Sequence, residues 1–161
     1  MNINEIQSVV NANFLRGNRF KVVTGLGDFV DKRCCSISWP NITYSTFNWK
    51  NAGPNIKVPY EPVFDGVRLE FYCDHDGTVP SAIRRWNRSV LTDNLQFNYF
   101  SDYVRDVYIY EFNTSNQAVH AKILQNAYPV TVEPVQLGFE LNNQIEKIAV
   151  LLEYESSIDI G

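Results

Sequence analysis

Residues 67–73 alternate without a break: Val67, Leu69, Phe71 and Cys73 on one side, Arg68, Glu70 and Tyr72 on the other. A period of two places every apolar side chain on one face of an extended strand, so a sheet with at least one face in need of cover is built into this chain. Residues 103–113, 118–130 and 143–156 read as further strands, separated by the polar run Asn113–Gln117 and by the proline-bearing run VEPVQLG. Two of these strands are apolar on both sides. Val107 and Ile109 oppose Tyr108, Tyr110 and Phe112, and Ala149 and Leu151 oppose Ile148, Val150, Leu152 and Tyr154.

Cover for such strands must come from helices or from neighbouring chains. In TVPSAIRRWNRSVL the period changes: Val79, Ile83, Trp86 and Val90 share one helical face, Arg84 and Arg88 lie on the other, Thr78 is placed to cap and Pro80 fits the first turn. Ile3, Ile6, Val10 and Phe14 predict a short N-terminal helix ending at Gly17. Residues 19–24 and 30–37 flank Gly25-Leu26-Gly27-Asp28 and predict a β-hairpin, with Cys34 and Cys35 on opposite faces of its second strand. The expected class is α+β, mostly antiparallel sheet of sandwich or barrel-like form, with one central helix. One helix of any length covers one face, so neighbouring subunits are expected to supply the rest.

The 161 residues suit a single domain spanning 1–161, able to bury about two-thirds of the unfolded chain's surface. Aromatics make up 14% of the chain, a generous supply of anchors for contacts between chains. Fourteen basic residues against eighteen acidic ones give a net charge of −4, which lacks the basic footprint of a protein that grips nucleic acid phosphates. No segment has the signature of a secretion signal or the roughly 20 apolar residues of a membrane span, so a cytosolic chain with no membrane contact is expected. Three cysteines in such a chain are expected to be free thiols.

The groups that could carry chemistry do not form a site. Cys73-Asp74-His75-Asp76-Gly77 brings a thiol, an imidazole and two carboxylates together, but lacks a second Cys or His pair at zinc spacing and the ends of a calcium loop. It reads as a polar turn between strand and helix. As a nucleophile pair, Cys73 and His75 would need a third orienting group and an oxyanion site. Gly25-x-Gly27 lacks the third glycine of a dinucleotide loop, and three Asn-x-Ser/Thr triplets matter only in a secreted chain. Arg84, Arg85 and Arg88 read as a solvated helix face or a partner contact, and His120 as a surface residue of a strand. No catalytic, cofactor-binding or metal-binding residue is assigned.

The remaining feature is the segment SWPNITYSTFNWKNAGPNIKVPYEP, which holds four of the seven prolines together with Trp39, Tyr44, Phe47, Trp49 and Tyr60. It reads as a long irregular loop, too aromatic to be disordered. Such a loop either folds back over its own sheet or reaches another subunit.

The order of N-terminal helix, hairpin, long loop, strand, central helix and strand-rich C-terminal half resembles the tail tube proteins of contractile-tailed bacteriophages. The resemblance is carried by FLRGNRFKVV at the first strand, by the helix around Arg85-Trp86, and by VQLGFELNNQIEKIAVLLEYE at the end of the chain. It implies a structural protein without enzymatic activity or cofactor. Six copies would form a ring, and stacked rings would enclose a lumen through which DNA passes without specific binding. Partners would be further copies of the chain, the tail sheath protein, and baseplate and tail-terminator proteins; the protein would reside in the virion after assembly in the host cytoplasm. Trp39, Tyr44, Phe47, Trp49 and Tyr60 would then make contacts between stacked rings. A baseplate tube-initiator or adaptor ring and a type VI secretion-like tube are alternatives of the same fold. A small cytosolic enzyme or ligand-binding domain, with the aromatic loop as a lid, is the alternative of a different class.

Overall fold

The computed structural model describes residues 3–4 and 15–160. The stripe Ile6, Val10 and Phe14 of the expected N-terminal helix lies outside the described residues. Among the described residues from 15 onwards, nine strands and three helices follow in chain order. They are β1 (Phe20–Val23), α1 (Asp28–Asp31), β2 (Cys34–Ile37), β3 (Ile42–Trp49), β4 (Ile56–Phe64), β5 (Val67–Tyr72), α2 (Thr78–Arg88), α3 (Phe100–Tyr103), β6 (Arg105–Phe112), β7 (Ala118–Val132), β8 (Lys147–Glu153) and β9 (Ser156–Asp159).

Seven strands form one antiparallel sheet in the order β1-β6-β7-β8-β5-β2, with β9 also paired to β7. The fifteen-residue β7 belongs to both ends of this sheet: its first part pairs with β6 and β9, and its last part, from Tyr128, pairs with β8. Between them Asn126 adopts a φ of 52°, and its amide donates to the Asp106 carboxylate at 3.1 Å instead of to a ladder partner. Such a break bends a strand, and here it lets two halves of the sheet face a common core.

That core follows the alternation in the sequence. Val67, Leu69 and Phe71 of β5 and Ile148, Val150 and Leu152 of β8 are buried on one side, with Val22, Val107, Ile109 and Leu124 from the other half. Helix α2 adds Val79, Ile83 and Trp86, the stripe its spacing predicts. The Trp86 indole N–H donates to the Tyr103 carbonyl at 2.8 Å, and the Asn87 amide donates to the Pro129 carbonyl at 3.2 Å, so the helix is tied to α3 and β7. The second faces differ as their composition requires: Tyr108, Tyr110 and Phe112 stack in a half-buried ladder along β6.

Three local expectations change. Strands β1 and β2 do not form a hairpin; they lie at opposite ends of the seven-stranded order, β1 on β6 and β2 on β5. The intervening segment forms α1, whose Asp31 carboxylate accepts bonds from the Thr24 amide and hydroxyl inside the protein. Thr78 does not cap α2. Gly77 occupies the cap position at a φ of 70°, which glycine adopts without strain, and the Asp74 carboxylate accepts the Val79 amide at 2.9 Å. Finally, most of the segment expected to be irregular is a regular two-stranded sheet, β3 against β4, separate from the main sheet.

Candidate functional site

Strands β3 and β4 form a ribbon that leaves the body between β2 and β5. Eight pairs run from Ile42↔Phe64 at the root to Trp49↔Ile56 at the tip, closed by a turn with Ala52 at a φ of 44°. Prolines are confined to edge strands and bulges because they lack the ladder donor. Both strands of an isolated ribbon are edges, and Pro59 sits at the shift in register opposite Thr46, where Tyr60 is the extra residue.

The register sorts the side chains. Phe47 pairs with Val58 and Trp49 with Ile56, and the Tyr60 ring lies 5.9 Å from that of Phe47, so these residues share one face. This face is open: Phe47 is 43% exposed, Trp49 54%, Ile56 58% and Tyr60 63%. Tyr44 lies on the other face opposite Pro62 and is also exposed. Of the five aromatic residues singled out in the sequence, four therefore project on the arm. Trp39 does not. It precedes β3 at the root, where its ring meets His120 edge-on at 6.3 Å and the Lys122 ammonium at 5.7 Å.

The root is fastened to the β5 and β8 half of the sheet. Ser38 donates its amide to the Arg68 carbonyl and accepts the Arg68 amide on its hydroxyl, at 3.2 and 3.1 Å. The Thr43 hydroxyl donates to the Asp65 carboxylate at 3.0 Å, and Phe64 packs on Tyr154. Arg68 itself bridges Glu70 and Glu133 at 2.8 and 2.9 Å; those bonds hold the Glu133 carboxyl below the usual carboxylate range.

Two further exposed apolar segments were not distinguished in the sequence. One is the turn after α2, closed by the Leu91↔Phe97 bridge, which presents Leu95, Phe97 and Tyr99. The other is the loop between β7 and β8, which presents Leu137, Phe139 and Ile145. Their signal was large apolar residues without period in polar surroundings, the same signal that marked the arm.

The motifs considered for chemistry are spent on structure. Asp74 serves the helix, and His120 is exposed in β7 with Nδ1 3.0 Å from the Glu111 carboxylate. Among the described residues no three His, Cys, Asp or Glu side chains gather as a metal site, and no helix is long and apolar enough to cross a membrane. Cys34, Cys35 and Cys73 are all free thiols.

The arm, the split sheet and the covering helix α2 invite comparison with proteins of known assembly. The family model described as phage tail tube protein matches residues 4–158.

The chain belongs to the phage tail tube protein family.

Solved structures agree on the fold of this tail tube chain. In the sheath-tube complex of an extracellular contractile injection system, a chain of 18% identity superposes with a TM-score of 0.71, covering 96% of this chain and 97% of that one. A chain in the sheath/tube terminator of the same kind of system reaches 0.72 at 18% identity, with 94% and 99% covered. One in the six-fold symmetrised baseplate of the anti-feeding prophage reaches 0.70 at 16% identity, with 93% and 97% covered. A search of curated protein sequences finds no match. The neighbours share the fold, and the expected α+β, mainly antiparallel class is the one observed.

Proposed function

We propose that this chain, acting over residues 1–161 as one tail tube domain, is a structural subunit that forms hexameric rings. The rings stack into a tube inside a contractile sheath and enclose the channel for DNA ejection. The observation that carries this reading is the apolar face of the β3–β4 arm in a member of the tail tube family. An isolated two-stranded ribbon is marginal in water, and this one leaves Phe47, Trp49, Ile56 and Tyr60 open. Docking on a neighbouring ring would recover about 1.5–3 kcal/mol for each large side chain buried, repeated around the ring. Tyr44, Phe47, Trp49 and Tyr60 make the inter-ring contact in this reading, with Trp39 at the arm's root.

Six-fold order is supported by the symmetrised baseplate in which one neighbour was solved. Sheath, terminator and baseplate partners are supported by the complexes in which the neighbours occur. The net charge of −4 suits a lumen through which DNA slides without being gripped. The work is mechanical, with no catalytic step or cofactor, in a virion component assembled in the host cytoplasm.

A second reading is favoured by one observation: a chain of the sheath/tube terminator structure superposes as well as a chain of the sheath-tube complex. The protein would then supply one terminal or adaptor ring. Electron microscopy of the purified protein seeded with baseplate components separates the two. Long hollow tubes are expected; single rings would establish the second reading, and monomers alone would overturn both.

A further inference from the structure

We propose that Lys122 is the positioning residue of the arm, setting the direction in which the ribbon leaves the body; its consequence for assembly rests on the ring-stacking reading above. Lys122 is in the interior half of β7, opposite Ile109 of β6 and Asp159 of β9, and is only 7% exposed. A buried ammonium is costly unless its hydrogens are used. Here Nζ donates to the Pro40 carbonyl at 3.2 Å, lies 3.4 Å from the Asp159 carboxylate, and faces the Trp39 ring at 5.7 Å. Besides its ion pair with Asp159, the ammonium thus engages two consecutive residues, Trp39 and Pro40, immediately before the arm.

The surroundings make this contact decisive. A groove of about 680 Å³ is lined by Ile37, Trp39, Ile109, His120 and Lys122. At that groove, Lys122 holds the linker to the half of the sheet formed by β6, β7 and β9. Ser38 and Asp65 fasten the root only to β5 and to the arm itself. Strand β3 has eight residues, about 26 Å at the usual rise. A swing of about 10° at the root thus moves the tip by about 5 Å, enough to break side-chain contacts.

The experiment pairs a geometric readout with assembly. Spin labels carried on a ketone-bearing amino acid replace Asn51 at the arm's tip and Thr114 in the β6–β7 turn, and their distance distribution is measured in full-length protein. Lys122→Met keeps the stem but removes the charge, and leaves Asp159 able to face water. We expect a distribution at least twofold broader, tube growth reduced at least tenfold in the unlabelled variant, and recovery of both by Lys122→Arg. An unchanged distribution overturns the proposal. If the distribution broadens and tubes grow normally, Phe47→Ala/Trp49→Ala decides. Loss of tubes in that variant overturns the link from positioning to assembly, whereas normal tubes sink the stacking reading and leave the positioning of the arm standing. Should Lys122→Met fail to fold, Trp39→Leu removes the ring contact with the ammonium while keeping its bond to the Pro40 carbonyl; it must still broaden the distribution, and a narrow one overturns the proposal.

Discussion

Cys34 packs against the core from β2, and desolvation pushes its thiol up to about 12, with a backbone hydrogen bond at Ser36 opposing and the neighbouring Cys35 adding to the rise. Only the thiolate reacts with alkylating agents. In native protein at pH 8, Cys34 should therefore stay unlabelled long after an unfolded control is complete. Cys35 and Cys73, also raised chiefly by desolvation, should label more slowly than a free thiol. Mass spectrometry of the time course checks this, and rapid labelling of Cys34 would contradict it. The sign for stability follows: the folded state keeps the proton that the unfolded chain loses near 9.0, so stability declines as pH rises from there towards about 12. Asp74 works in the opposite direction. The Val79 amide holds its carboxyl below the usual range, so its contribution is present above the unfolded value and fades as acid protonates it. Asp74→Ala should lower the melting temperature by a few degrees, and Asp74→Asn, which keeps an acceptor, by less. Phe71, at 1% exposure, is a different case: Phe71→Ala leaves a cavity and should cost about 3–5 kcal/mol in denaturant unfolding.

The ribbon β3–β4 is the element on which assembly turns in this account. Replacing Phe47 and Trp49 by alanine should raise the concentration needed for tube growth at least tenfold with little change in the subunit's melting temperature, because both side chains already face water in the free subunit. Unfolding of that variant would place the arm in the subunit's own core. The strands β5, β6, β7 and β8 and the stripe of α2 were legible because each carries a local period, and burial enforces it. Pairing was not legible. The glycines of 25–27 imitate a hairpin turn, yet the partners of β1 and β2 are β6 and β5, contacts of long sequence separation that leave no local trace. The arm was hidden by its prolines, which read as breakers but sit at a bulge and on open edges. Its aromatic character was legible; that Trp39 parts from the others to meet Lys122 was not, since β7 lies some eighty residues further along.

A tube is a head-to-tail assembly, in which each subunit must carry surfaces that complement one another around and between rings. Under the proposed reading the arm would supply one such surface, and the turns around Phe97 and Phe139 expose further apolar side chains. Because the arm's open face is apolar, growth should respond to salts as hydrophobic association does. Sulfate should lower the concentration at which tubes appear, while an equal ionic strength of chloride should have a smaller effect. A chloride dependence as steep as that of sulfate would point to ion pairs as the driving contact. The most direct measurement is a cryo-electron microscopy reconstruction of the assembled protein at side-chain resolution. The account predicts stacked hexamers in which Phe47, Trp49 and Tyr60 of each subunit are buried against the adjacent ring. An arm folded onto its own subunit, or one facing solvent while the rings stack through other surfaces, would contradict it.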